Sequence, residues 1–372
     1  MLDVVEEVAL VRQEASAKPL AEEDDLIQRF LHDIEKRGLV GEEDNAAIAF
    51  LCAISARLPE PLHLTVSGPS SSGKNFLLSK VADFIPEEHK KFITGMTPKV
   101  LMYAGEYEYQ HKAIFIAEYE GVKKADYAIR TMQSEKLINW ECVDSSKGLR
   151  KISKSVKGPA AFLQATTRSV LHPENETRLL FINVDETREQ TRAINRRQAV
   201  AAAKGTQSDG EQTLQAWRNF LKELKTMNVS IPYAEELANY FPDTRVRSRR
   251  DFPKLLEMIK NSAFLHQHKR QINNETVLAE PADYIAAKRF FESSYDAGPD
   301  RKLKGLLDAA ESLQRDFRIS DLVEKLGWGK SQVYEVLGRA EELGCVAETE
   351  SRGVYHFIRN SAVPPLELPD EI

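Results

Sequence analysis

Cysteine is scarce: Cys52, Cys142 and Cys345 stand far apart among 372 residues, with no CxxC pair. That spacing excludes a disulfide framework or a zinc ribbon and fits the reduced thiols of a cytoplasmic protein. Long apolar runs are missing too, since no uninterrupted stretch approaches the ~18 residues of a membrane span. The start, MLDVVEEVALVRQEAS, is acidic and helical in period, without the basic opening and apolar run of a signal peptide. No membrane partner is expected. Excess positive charge is also lacking, because 51 Lys and Arg face 57 Asp and Glu for a net −6, so no whole-chain field advertises nucleic acid. With 42% hydrophobic and 29% charged residues the chain is globular in composition, long enough for two or three domains.

The charge that is present is unevenly placed. Residues 1–60 hold fourteen acids and six bases, leaving the rest of the chain slightly positive. Within them, DDLIQRFLHDIEKRGL and EEDNAAIAFLCAISARL carry apolar residues at helical spacing with acids in the first turn, which predicts a small acidic helical subdomain. From 61 to 230 short apolar runs (LHLTVSG, KAIFIAE, AAFLQATT, LLFINVD) alternate with helical stretches. That alternation predicts an α/β core with parallel strands. Residues 231–297 read as helical, 298–360 as a separate unit, and the Pro-rich acidic end 361–372 as a tail.

The sharpest motif follows LHLTVS: Gly68-Pro69-Ser70-Ser71-Ser72-Gly73-Lys74-Asn75, then helical FLLSKVADF from Phe76. Glycines let backbone N–H groups wrap a β-phosphate, the helix presents its N-terminus, and Lys74 can bridge the β- and γ-phosphates. The pattern predicts ATP and Mg²⁺ as ligands. Asn75 stands where a Ser or Thr hydroxyl usually meets Mg²⁺, and its amide oxygen is still a hard ligand. Some forty residues on, HKAIFIAEYEG supplies an apolar strand ending in Glu118 and Glu120, with Ala117 in place of a first acid. Glu118 is the candidate to polarise the attacking water and to face the metal; solvated acids at a strand end give the same pattern. The run AAFLQATT ends in Thr166 and Thr167, where a hydroxyl can reach the γ-phosphate or the water.

In this order, GPSSSGKN, IAEYE and ETRLLFINVDE resemble the AAA+ ATPases, and more narrowly the MCM-like replicative helicases of mobile genetic elements. The resemblance covers about 62–265. It implies that Arg178 reaches a neighbouring subunit's ATP site as a trans arginine; a surface arginine beside Glu176 is the alternative. It implies a lid at 231–297 whose first long helix offers Arg250, or else Arg249, to the γ-phosphate of its own or a neighbouring subunit. A homo-oligomeric ring, hexameric in that family, single-stranded or forked DNA, and a primase or initiator as further partner are likewise implied.

A hairpin projecting into the pore belongs to the same layout. KLINWECVD and LRKISKSVKG flank a turn at Ser145–Gly148, a hairpin near 138–157. Lys147, Arg150, Lys151, Lys154 and Lys157 give it five cations in eleven residues with no acid, the sequence-tolerant lining a tracked strand needs; a solvated basic face is the alternative. His266 and His268, two apart, are expected on the surface. Residues 301–358 read as three helices and a hairpin with Ser320 as a cap and a turn at Gly327–Gly329, the pattern of a winged helix. Its third helix bears Lys330, Ser331, Gln332, Tyr334 and Arg339 and its wing Arg352, suited to DNA, while Glu335, Glu341 and Glu342 leave a protein partner open.

Overall fold

The computed structural model describes residues 20–97, 99–144, 150–167, 177–204, 210–242, 247–297, 299–358, 366 and 368–372. Two helices come first, α1 (Leu26–Lys36) and α2 (Glu43–Ile54). Strands and helices then alternate: β1 (Leu64–Ser67), α3 (Lys74–Phe84), β2 (Lys90–Ile93), α4 (Val100–Tyr103), β3 (Lys112–Ile116), α5 (Asp126–Glu135), β4 (Leu137–Asp144), β5 (Arg150–Lys157), β6 (Ala160–Thr166) and β7 (Leu180–Asn183). Next come α6 (Arg188–Lys204), α7 (Glu211–Glu223), β8 (Asn228–Ser230), α8 (Ala234–Tyr240), α9 (Ser248–Leu265), β9 (Ile272–Asn273), β10 (Thr276–Leu278) and α10 (Pro281–Ala297). The last unit holds α11 (Pro299–Leu313), β11 (Phe317–Arg318), α12 (Ile319–Leu326), α13 (Lys330–Glu342), β12 (Val346–Glu348) and β13 (Val354–Phe357).

Five strands form one parallel sheet in the order β2-β3-β6-β1-β7. Because side chains alternate along a strand, each strand feeds both faces. Ala113 and Phe115 of β3, with Ala161, Leu163 and Ala165 of β6, face a core built with α1, α2, α3, α7, α9 and α10. Ile114, Ile116 and Phe162 face a second core with α4, α5 and the hairpin base at Ile138 and Val156. Covering on both faces explains why these strands read as continuous apolar runs. Strand β2, sequence KKFI, carried no such run and was not expected. It is the sheet edge, where lysines are tolerated because one side has no partner strand.

Residues 20–60 differ from the expected small acidic helical subdomain. Nine consecutive residues of α2, Ala46–Ile54, are buried, the signature of a helix enclosed on all sides. Phe30 stacks on Phe50 with centroids 4.1 Å apart, and both abut Trp217 of α7. The indole N–H of Trp217 donates to the buried Asp33 carboxylate at 2.9 Å. His266 is also buried, contrary to the surface expectation: Nε2 accepts the Leu26 N–H at 3.0 Å and Nδ1 meets the Ser262 carbonyl at 2.8 Å. Helix α1 is therefore clamped to α9, and the described part of the acidic segment, from residue 20 on, is part of the body.

Two further expectations change. The end of the chain is docked: Leu368 is buried in the main core, the Tyr284 hydroxyl donates to the Pro369 carbonyl, and Lys288 pairs with Asp370 at 2.6 Å. In the last unit α12 begins at Ile319, so Ser320 lies inside the first turn, and the Asp321 carboxylate accepts the Arg318 backbone N–H at 2.8 Å instead. Gly327, at φ 66°, ends that helix and Gly329 opens α13. Three helices and a three-stranded sheet, β11-β13-β12, enclose a third core. Among the described residues no helix is long and apolar enough to cross a membrane.

Candidate nucleotide site

The loop after β1 has the backbone its glycines predict. Gly73 precedes α3 at φ 93°, a left-handed conformation that a Cβ disfavours. A Cβ on Gly68 would stand 2.5 Å from Val184 Cγ2 and 2.8 Å from Ser72 Oγ, so the loop can run this close to β7 only with glycine there. Ser71 also takes a positive φ, 66°. Lys74, the first residue of α3, is buried, and its ammonium donates to the Gly68 carbonyl at 2.8 Å and to the Pro69 carbonyl. Pro69, Ser70, Asn75 and Phe76 are exposed around it. The Phe76 ring is flanked by the Lys80 ammonium at 5.3 Å.

The register fixes what faces this loop. Ser67, the last residue of β1, pairs with Thr166 of β6 and with Asn183 of β7. Ile116 pairs with Gln164, so Glu118 and Thr166 stand two residues beyond that pair on adjacent strands. The strand carrying Thr166 thus lies between the loop strand and the acid strand, all at the C-terminal sheet edge where open α/β sheets place ligands. Glu118 is exposed, Thr166 buried. Burial pushes the Lys74 ammonium below its usual range, opposed by the charges of Glu118 and, second, Glu186.

Glu186 was not singled out in sequence. It lies in the loop after β7, about seventy residues from Glu118, and only sheet pairing brings both carboxylates to one lysine. Glu42 and Asn45 were missed for the same reason. Glu42 accepts the Asp185 N–H at 2.8 Å and Asn45 donates to the Asn183 carbonyl at 2.9 Å, so the start of α2 braces that loop. Desolvation raises the Glu42 carboxyl.

Arg178 and Arg250 lie elsewhere. Leu180 pairs with Leu64, the first residue of β1, so Arg178 precedes β7 at the sheet edge opposite the loop, farther away than the roughly 10 Å length of β1. Its guanidinium donates to Ser134 of α5 at 2.9 Å. Arg250 of α9 donates to the Thr177 hydroxyl, beside Arg178 and away from the same chain's Lys74. Arg249 is exposed on the same helix. The hairpin β4–β5 pairs Leu137 with Lys157 through Asp144 with Arg150, while Lys147, its turn, and Glu176 lie outside the described residues. Lys151 pairs with Glu141 and Lys157 with Glu106, so acids absent from the basic run itself reach two of its lysines.

No group of three or more His, Cys, Asp or Glu side chains arranged to hold a metal occurs among the described residues. Asn75, next to Lys74, and Glu118, whose charge acts on Lys74, are both exposed.

A relative from Methanothermobacter marburgensis, the uncharacterized protein MTBMA_p00010, is 22% identical over 317 residues. The match covers 76% of this chain but 39% of that protein, so the chain spans well under half of the relative's length. The family model described as the MTBMA_p00010 P-loop domain matches residues 10–225, which reach from the N-terminal helices through the sheet to α7. With more than half of its length matched and a P-loop at the C-terminal edge of a parallel sheet, this chain belongs to the MTBMA_p00010 P-loop domain family.

Proposed function

We propose that the chain is an ATPase that assembles as a ring and drives single-stranded or forked DNA through it, in the manner of AAA+ replicative helicases of mobile elements. One relationship carries this reading: Lys74 and Glu118 share one sheet edge while Arg178 and Arg250 share the opposite one. A phosphate site that uses either of these two arginines then needs a second copy of the chain. In this reading residues 68–74 hold the phosphates of ATP with backbone N–H groups and the Lys74 ammonium. Asn75 and Glu118 would hold Mg²⁺, which when bound would offset phosphate charge. Glu118 orients the water that attacks the γ-phosphorus, and Thr166 hydrogen-bonds a γ-oxygen or that water. Arg178 from the adjoining copy neutralises charge as the bond to the leaving ADP oxygen breaks. The helices α8–α10 serve as the lid. The order of α11, β11, α12, α13, β12 and β13 supports a winged helix, with Lys330 and Tyr334 exposed on α13.

A second reading, an ATP-binding assembly or initiator-like switch with little hydrolysis, is favoured by Asn75 and Ala117, which replace a hydroxyl and a first acid. Turnover of ATP by the full chain with and without an oligonucleotide separates the two. DNA-stimulated hydrolysis that Lys74→Ala abolishes supports the motor. ATP binding that drives assembly on DNA without turnover supports the switch.

A further inference from the structure

The basic hairpin is not a bare lysine track, because Glu141 holds Lys151 at 2.7 Å and Glu106 holds Lys157 at 2.8 Å. Beside it stands an aromatic feature with no basic signal in sequence. The segment from β2 to β3 lies against the hairpin and presents Tyr103, at the end of α4, and Tyr107, which are 48% and 56% exposed. The Lys154 ammonium lies 4.8 Å from the Tyr103 ring centroid, and the Lys157 ammonium 4.9 Å from that of Tyr107. Lys157 also donates to the Tyr107 hydroxyl at 3.2 Å. Two residues on, Tyr109 is buried with Lys91 over its ring, so the segment is anchored inward at one tyrosine while two others face out.

A cation over one face of a tyrosine holds the ring in place through its quadrupole and leaves other ring surface open. Rings fixed in this way, each next to an ammonium, match the repeat of a nucleic acid strand: a flat apolar base beside an anionic phosphate. Only an unpaired strand can offer its base faces, since a duplex keeps them stacked. We propose that Tyr103 and Tyr107 are base-stacking platforms for a single-stranded nucleic acid, with Lys154 and Lys157 meeting its phosphates. The inference rests on the DNA reading above and adds the segment that precedes β3 to the recognition chemistry of the hairpin lysines. Stacking of this kind is tolerant of sequence, because every base has a π-face, and it is sensitive to salt.

The test is fluorescence anisotropy of the full chain with labelled oligothymidylate and with an abasic strand of equal length. Tyr103→Ala and Tyr107→Ala are each expected to weaken oligothymidylate binding about tenfold, Tyr103→Phe to retain it, and the abasic strand to bind wild type and the double variant alike. The proposal is overturned if the double variant binds oligothymidylate as wild type does, if wild type does not prefer it over the abasic strand, or if oligoglutamate displaces it equally well. A fluorescent ATP analogue titrated into the same samples reports that the variants are folded. Wild type that binds the analogue but not oligothymidylate overturns the stacking surface and leaves the P-loop reading intact. Base-dependent binding without ATP binding does the reverse.

Discussion

Arg250 donates a hydrogen bond to the hydroxyl of Thr177, the residue immediately before Arg178. One turn further along α9, the buried Lys254 ammonium donates to the Leu179 carbonyl at 3.1 Å and to Asp251 at 2.9 Å. The first turns of α9 therefore hold residues 177–179 from both sides of Arg178. The two arginines therefore sit together at the sheet edge opposite the same chain's Lys74.

Arg178→Ala should lower ATP turnover by about 10³-fold or more, the scale of a lost arginine finger, with nucleotide affinity nearly unchanged. Arg250→Ala should act in the same direction, and the double variant should be no worse than Arg178→Ala. Mixing Arg178→Ala with Lys74→Ala subunits should restore part of the rate, as each supplies what the other lacks. Steady-state turnover and titration of a fluorescent ATP analogue read both effects. Equal loss of binding and turnover would place Arg178 outside the chemistry.

Glu118→Gln keeps the shape of the side chain and removes its basicity. Turnover should fall by about 10²- to 10⁴-fold while ATP still binds. Hydrolysis at the wild-type rate would remove Glu118 from the role of water-orienting acid and turn attention to Glu186, the other carboxylate in the field of Lys74.

A methyl group at position 68 collides with Val184. Gly68→Ala should therefore displace the loop and weaken ATP binding at least about tenfold, at a stability cost of about 1–3 kcal/mol, the usual range for overpacking. Calorimetric titration and thermal unfolding separate the two, and unchanged affinity contradicts the geometry.

His63 supplies a pH signature. It is buried, its Nδ1 accepts the Phe162 N–H at 3.2 Å, and burial pushes its pKa from 6.5 to about 3. Below pH 6.5 the unfolded chain takes up a proton that the folded chain refuses until about pH 3. Stability is thus full above that window and falls as pH drops through it, by up to about 1.4 kcal/mol per unit from this residue. His63→Gln should give a shallower fall in urea unfolding between pH 7 and 5; an identical slope contradicts the assignment.

The docked end of the chain is testable in the same way. Leu368→Ala removes a buried side chain and should cost about 2–3 kcal/mol, within the range for such truncations. Loss of no stability on this change, read as urea midpoint at constant m, would mean that the end does not pack on Tyr284 in solution.

The sheet was legible where strands are covered on both faces, since LTVS, KAIFI and AAFLQAT are then forced to be mostly apolar on both sides. Strand β2 was hidden because an edge strand with lysines lacks that pressure. The phosphate loop was legible because its glycines, lysine and following helix are contiguous. Glu186, Glu42 and Asn45 were not, because they reach the site through strand pairing and helix packing over tens to more than a hundred residues. The basic run read as free charge, whereas Glu106 and Glu141 approach it only once the hairpin folds. His266 and the docked end went unseen for one reason: polar and Pro-rich residues look exposed until a specific partner, such as the Leu26 N–H or the Tyr284 hydroxyl, buries them.

The most direct measurement is steady-state ATP hydrolysis by the full chain with Mg²⁺, with and without single-stranded oligonucleotide, alongside Lys74→Ala. The account predicts turnover that the oligonucleotide raises and that Lys74→Ala abolishes. Turnover that is absent, or unchanged by Lys74→Ala, contradicts it.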